Sequence, residues 1–92
     1  MERKNLEVYS EASNHGVVCM PGRSFPGSFV PGDALASLCR SARRVHRLAV
    51  RTGSEELADE AEMSADDLGD RLRRYEGVLA GHGIPLLYPR RP

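Results

Sequence analysis

Charge is sorted along this chain in a way that leaves few folds open to it. Residues 34–51 contain Arg40, Arg43, Arg44, Arg47 and Arg51 and no acid, whereas residues 54–70 contain eight acids and no base. Both stretches also carry apolar residues at steps of three and four: Leu35, Leu38, Ala42, Val45 and Ala49 in the first, then Leu57, Ala61, Leu68, Leu72, Tyr75 and Leu79. That period is one face of a helix. Only Thr52-Gly53 separates the two patterns, and so short a connection forces neighbouring helices to run antiparallel.

Local signals set the helix ends. Asp33 can accept a bond from a free first-turn amide and suits the positive end of the helix dipole, which starts the first helix and predicts a span of 33–52. Ser54 caps the second, with Glu55 and Glu56 in its first turn, and Gly81 to Gly83 followed by Pro85 closes it, predicting 54–81. Ser64 with Asp67 three residues on is a second plausible cap, so one long helix and two helices broken near 64 are both allowed. The tail, 84–92, begins with the apolar Ile84-Pro-Leu-Leu-Tyr88 and is expected to dock before fraying at its arginines.

Ahead of the helices, Leu6 to Ser10 alternates apolar and polar residues, and Val17 to Met20 is a short apolar run, with turn chemistry at Ser13-Asn-His-Gly16 between them. This reads as an antiparallel hairpin, with Ser28-Phe-Val30 as a third strand. Residues 1–31 are thus expected to form a hairpin or meander plus a loop. The whole chain reads as a single α+β domain, 1–92: a small antiparallel sheet of two or three strands followed by an antiparallel helical hairpin. Its expected core is Leu6, Val8, Val18, Phe29, Leu35, Leu38, Val45, Leu57, Leu68, Leu72 and Leu79.

Composition narrows the function. Ninety-two residues leave little interior for a dedicated substrate cavity. A formal charge of zero supplies no long-range field toward nucleic acid or an anionic membrane, so nucleic acid is a disfavoured partner. No apolar run approaches the roughly 20 residues of a membrane span, and the first residues lack the apolar stretch of a secretory signal. A cytoplasmic location is the expectation. Cys19 and Cys39 fit a reducing compartment as small apolar residues, although a disulfide between them is not excluded by sequence. With His15, His46 and His82 they supply the residue types of a zinc site without the local spacing that clamps a metal, and no base stands beside either thiol. The expectation is no metal, no cofactor and no catalytic residue.

Two surfaces remain as candidates. Arg40, Arg44, Arg47 and Arg51 fall on one helical stripe, as do Asp59, Glu62, Asp66 and Asp70. Either the stripes flank the seam and pair with each other, each exposed pair contributing about 0.2–1 kcal/mol, or one faces outward as a charged docking surface. The acidic stripe is the better docking candidate, because it exceeds what the arginines neutralise. The second surface is the loop Pro21-Gly-Arg-Ser-Phe-Pro-Gly27, either a corner with Phe25 and Phe29 inserted in the core or a backbone cradle for an anion around Gly22, Arg23 and His15.

At this loop the chain resembles an uncharacterised family of small bacterial proteins in which Pro-Gly-Arg-x-Phe-Pro-Gly is followed by Gly-Asp-x-Leu, here Pro21 to Gly27 and Gly32-Asp-Ala-Leu35. The resemblance covers the first half of the chain. It implies an independent domain and transfers no catalytic residue. The reading that best fits is a non-catalytic protein-binding module, an inhibitor of the immunity or antitoxin kind or an accessory subunit of a larger protein encoded nearby, using Arg23, Asp59, Glu62, Asp66 and Asp70. Small bacterial proteins of this size commonly play such parts. The alternative is a small-molecule or anion-binding domain with at most weak enzymatic activity, centred on residues 21–27. A homodimer completing a four-helix bundle is compatible with the first reading.

Overall fold

The computed structural model describes residues 3–10, 16–86 and 88. It has an antiparallel sheet of three strands, β1 (Glu7–Ser10), β2 (Val17–Cys19) and β3 (Gly27–Ser28), followed by two helices, α1 (Gly32–Arg51) and α2 (Glu55–Gly81). The α+β class and the helical hairpin are as the periodicity predicts. The chain divides into two compact units, Met1–Pro31 with the sheet and Gly32–Pro92 with the helices.

In the first unit β2 is the central strand, pairing Glu7 with Cys19 and Val8 with Val18 on one side, and Val17 with Ser28 and Val18 with Gly27 on the other. Tyr9 is the extra residue where the register shifts between Val8 and Ser10. The third strand is shorter than expected and begins two residues before Phe29, although the Phe29 amide still bonds the Gly16 carbonyl at 2.7 Å. The turn expected at residues 13–16 lies outside the described residues except for Gly16.

The interhelical loop is built as its residues require. Gly53 takes a positive φ of 78°, a conformation that costs glycine least. The Thr52 hydroxyl donates to the Ala49 carbonyl at 2.6 Å, and Ser54 Oγ accepts from the Leu57 amide at 3.2 Å, which caps α2. No break occurs near residue 64: α2 is one helix of 27 residues. It closes in a Schellman motif, with the Ile84 amide on Leu79 O at 2.9 Å, the Gly83 amide on Ala80 O at 3.2 Å, and Gly83 at φ 68°. The tail docks in part, as Tyr88 Oη donates to Glu76 Oε2 at 3.1 Å; Leu87 and residues 89–92 lie outside the described residues.

The core differs from the expected one. Ala36, Cys39 and Ala49 of α1 and Ala61 and Ala65 of α2 are the buried hydrophobic residues, joined in the seam by Gly32 and Gly69. Leu38, Val45 and Leu57, read as core from their spacing, are about half exposed, as are Leu6, Val8 and Phe29 of the first unit. Val18, Leu35, Leu68, Leu72 and Leu79 are half-buried. The seam on α1 is therefore rotated off the leucines onto a stripe of small residues. Small contacts let two helix backbones approach closely, and the large side chains are displaced to the flanks. Gly32 marks how tight this is: a methyl group there would collide with the ring edge of Tyr75.

Candidate functional site

The loop after β2 is a type II turn. Pro21 supplies its fixed φ at the second position, Gly22 its positive φ of 82° at the third, and the Arg23 amide closes it on the Met20 carbonyl at 3.0 Å. The Cys19 thiol sits inside the turn, 3.3 Å from Arg23 O. This geometry pushes Arg23 into solvent, and with it Phe25, which is 82% exposed. The expectation that Phe25 and Phe29 fill a core is thereby corrected. Phe25 lies in the loop between β2 and β3, outside either strand, a placement that its hydrophobicity alone does not report.

An open depression of about 340 Å³ lies beside this turn, lined by Asn5, Leu6, Glu7, Cys19, Met20, Pro21, Gly22 and Arg23. Glu7 places a carboxylate in it and accepts a hydrogen bond from Tyr9 Oη at 2.9 Å, which raises the Tyr9 pKa. A carboxylate beside Arg23 opposes an anion at that spot. His15, the remaining residue of the anion-site reading, lies outside the described residues.

The second candidate belongs to the helical unit. Asp59, Glu62, Asp66 and Asp70 are all exposed, as are Arg40, Arg44, Arg47 and Arg51. Helical periodicity in an antiparallel hairpin sets the two stripes on the same side of the seam. They do not knit together. Among the described residues one ionic contact crosses between the helices, His46 Nε2 to Glu62 Oε2 at 3.7 Å, and no arginine of α1 forms an ion pair with an acid of α2. Asp70 is held instead by Arg73 one turn on, and Asp67 by Arg71 at 3.4 Å. The stripes are thus two separate exposed lines of charge, basic on α1 and acidic on α2.

Both cysteines are free thiols. Cys39 is buried in the seam, where burial pushes its pKa up against a smaller opposing pull from Arg43. A buried, protonated thiol is a packing residue and not a nucleophile. Among the described residues no three His, Cys, Asp or Glu side chains are grouped as a metal site, and no helix is long and apolar enough to cross a membrane.

Comparison with known proteins places one match on the chain: the model of a family described as "Family of unknown function (DUF6959)" covers residues 1–88. No curated protein and no solved structure matches.

Proposed function

Starting from the fact that the chain belongs to that family of unknown function, we propose on its own residues that it is a non-catalytic protein-binding module acting on a larger protein. It docks through the acidic stripe of α2, Asp59, Glu62, Asp66 and Asp70, against a basic surface of the partner. The supporting observation is that these four carboxylates stand exposed while only Glu62 makes a contact with α1, and that one to His46. Asp59 and Asp66, which form no ion pair with a described residue, are available to an outside cation, where charge complementarity raises the rate of encounter and selects the partner. Arg23 and Phe25 in the first unit are a second exposed pair of the type found at interface anchors. The partner is most simply a protein encoded beside this one in a bacterial genome, the location cytoplasmic, and the effect inhibitory, in the manner of an immunity protein, or that of an accessory subunit.

The test uses the full chain as bait in lysate of the source cell, beside a bait carrying Asp59→Asn, Glu62→Gln and Asp66→Asn. The expected result is one stoichiometric protein that dissociates as salt rises and is lost from the triple variant, whose circular dichroism matches the parent. Equal capture by both baits, or no captured protein, refutes the acidic-surface reading.

A further inference from the structure

The arginines of α1 have no part in the docking of α2. Arg40, Arg44, Arg47 and Arg51 are exposed, and at about 100° per residue they fall within an arc of about 60° over about 16 Å of helix. No acid follows Asp33 in α1, and none of the four arginines forms an ion pair with a described residue. Leu48, three residues from Arg51 and four from Arg44, stands beside them and is 47% exposed. We propose that this face of α1 docks an acidic helix of another protein, with carboxylates laid along the arginines and an apolar side chain against Leu48.

Charge, width and Leu48 together select that occupant. The guanidinium groups recur at steps of four, three and four residues, so carboxylates at the same steps on a facing helix meet all of them. Each meeting can form a two-pronged arginine–carboxylate bond. A helix is about 10–12 Å across, so it lies along α1 without covering its neighbour. A nucleic-acid duplex or an anionic membrane surface is broader. Pressed onto the arginines, it would also meet Glu62 and Asp66, which stand on the same side of the hairpin one helix away, at an axis spacing of about 8–10 Å. Like charges there would oppose it. A phosphate backbone also offers nothing apolar to Leu48, whereas a helix with one leucine among its acids buries it. Exposed ion pairs are weak and screened by salt, so the contact is of low affinity and salt dependence is its signature.

This inference concerns α1 alone and does not rest on the acidic-stripe reading. Fluorescence anisotropy of two labelled probes, each titrated with the full chain at about 20 mM and about 200 mM salt, tests it. One probe is a helical peptide of about 20 residues, made of glutamate, alanine and one leucine, with the glutamates at three- and four-residue steps. The other is a single-stranded oligothymidylate of similar charge. The expected result is a dissociation constant on the order of 10–100 μM for the peptide at low salt, weakened about 10-fold or more at high salt. Arg40→Gln with Arg44→Gln, and separately Arg47→Gln with Arg51→Gln, should each weaken it by about 3- to 10-fold, and Leu48→Ser by about 3-fold. Asp59→Asn, Glu62→Gln and Asp66→Asn together should leave peptide binding unchanged or tighter, which separates this inference from the docking of α2. Glutamine matches arginine in helix propensity; circular dichroism identifies any variant that fails to fold, and the other arginine pair then decides. No binding of the peptide at low salt, binding that the arginine pairs or Leu48→Ser leave intact, or tighter binding of the oligothymidylate than of the peptide overturns the proposal.

Discussion

Replacing Gly32 by alanine should destabilise the helical hairpin, against the usual direction for a glycine-to-alanine change in a helix. The added methyl would lie against Cζ, Cε2 and Oη of Tyr75, far inside ordinary van der Waals contact. Relief requires the Tyr75 ring edge to move by roughly 1.2–1.8 Å, since carbon pairs prefer about 3.5–4 Å. Overpacking of this kind costs about 1–3 kcal/mol. The opposing gain from alanine's helix propensity is at most about 1 kcal/mol and is smaller at the first residue of α1. The balance is a loss of about 1–2 kcal/mol. With a urea dependence near 1 kcal/mol/M for a chain this small, the midpoint should fall by about 1–2 M. Unfolding followed by circular dichroism at one fixed protein concentration measures this. The collision has one identified cause, so repeating the substitution in a Tyr75→Leu background should abolish most of the cost, as a double-mutant cycle reports. A Gly32→Ala chain as stable as the parent, or an equal loss in both backgrounds, would refute the reasoning.

Gly69 and Gly77 of α2 should behave in the opposite way. A methyl at Gly77 meets nothing within 4 Å and one at Gly69 meets only the ends of the Arg43 and Arg73 side chains at ordinary contact distance, so Gly77→Ala and Gly69→Ala should each stabilise by about 0.5–1 kcal/mol in the same assay. The tail contact should show in alkaline titration. Tyr88 is pushed up to about 12 by burial and by its hydrogen bond to Glu76. Because its folded pKa lies above the ordinary value of 10, the stability this contact contributes is complete below pH 10 and is lost as pH rises from 10 through about 12. Ultraviolet titration should find one of the three tyrosines ionising near 12, absent from Tyr88→Phe, whose melting temperature should also fall less between pH 10 and 12; a parent titration with no such late step contradicts the contact.

Much of the architecture is local and was legible in the residues. Ser54, Thr52-Gly53 and the Gly81 to Gly83 stretch mark helix ends because their side chains or permitted φ values satisfy particular backbone groups, whatever the rest of the chain does. Pro21-Gly22 likewise specifies a type II turn by itself. The antiparallel hairpin follows from a connection too short for any other arrangement. That the acids form one stripe was legible in their helical spacing, but whether they pair with the arginines of α1 or face outward without them was not, and only the tertiary geometry decides it. The choice between one long α2 and two helices was not legible either, because Ser64 is as good a cap as it is a tolerated helix residue, and only packing of Ala61, Ala65 and Gly69 along one continuous seam decides it.

Tertiary structure alone decided which apolar stripe of α1 forms the seam. Leu35, Leu38, Ala42, Val45 and Ala49 obey the helical period, but so do Gly32, Ala36, Cys39, His46 and Ala49, and hydrophobicity favours the leucines and valine. Spacing cannot rank two stripes on one helix; the partner surface can. Here α2 offers Ala61, Ala65 and Gly69, surfaces flat enough for the backbones to close on each other, and close approach between small residues rejects branched side chains that the sequence reading would have buried. The same selection displaced Leu38, Val45 and Leu48 outward and left the arginines of α1 out of ion-pairing reach of the acids of α2. Periodicity, caps and turns are properties of a segment, whereas the facing of a helix is a property of the pair.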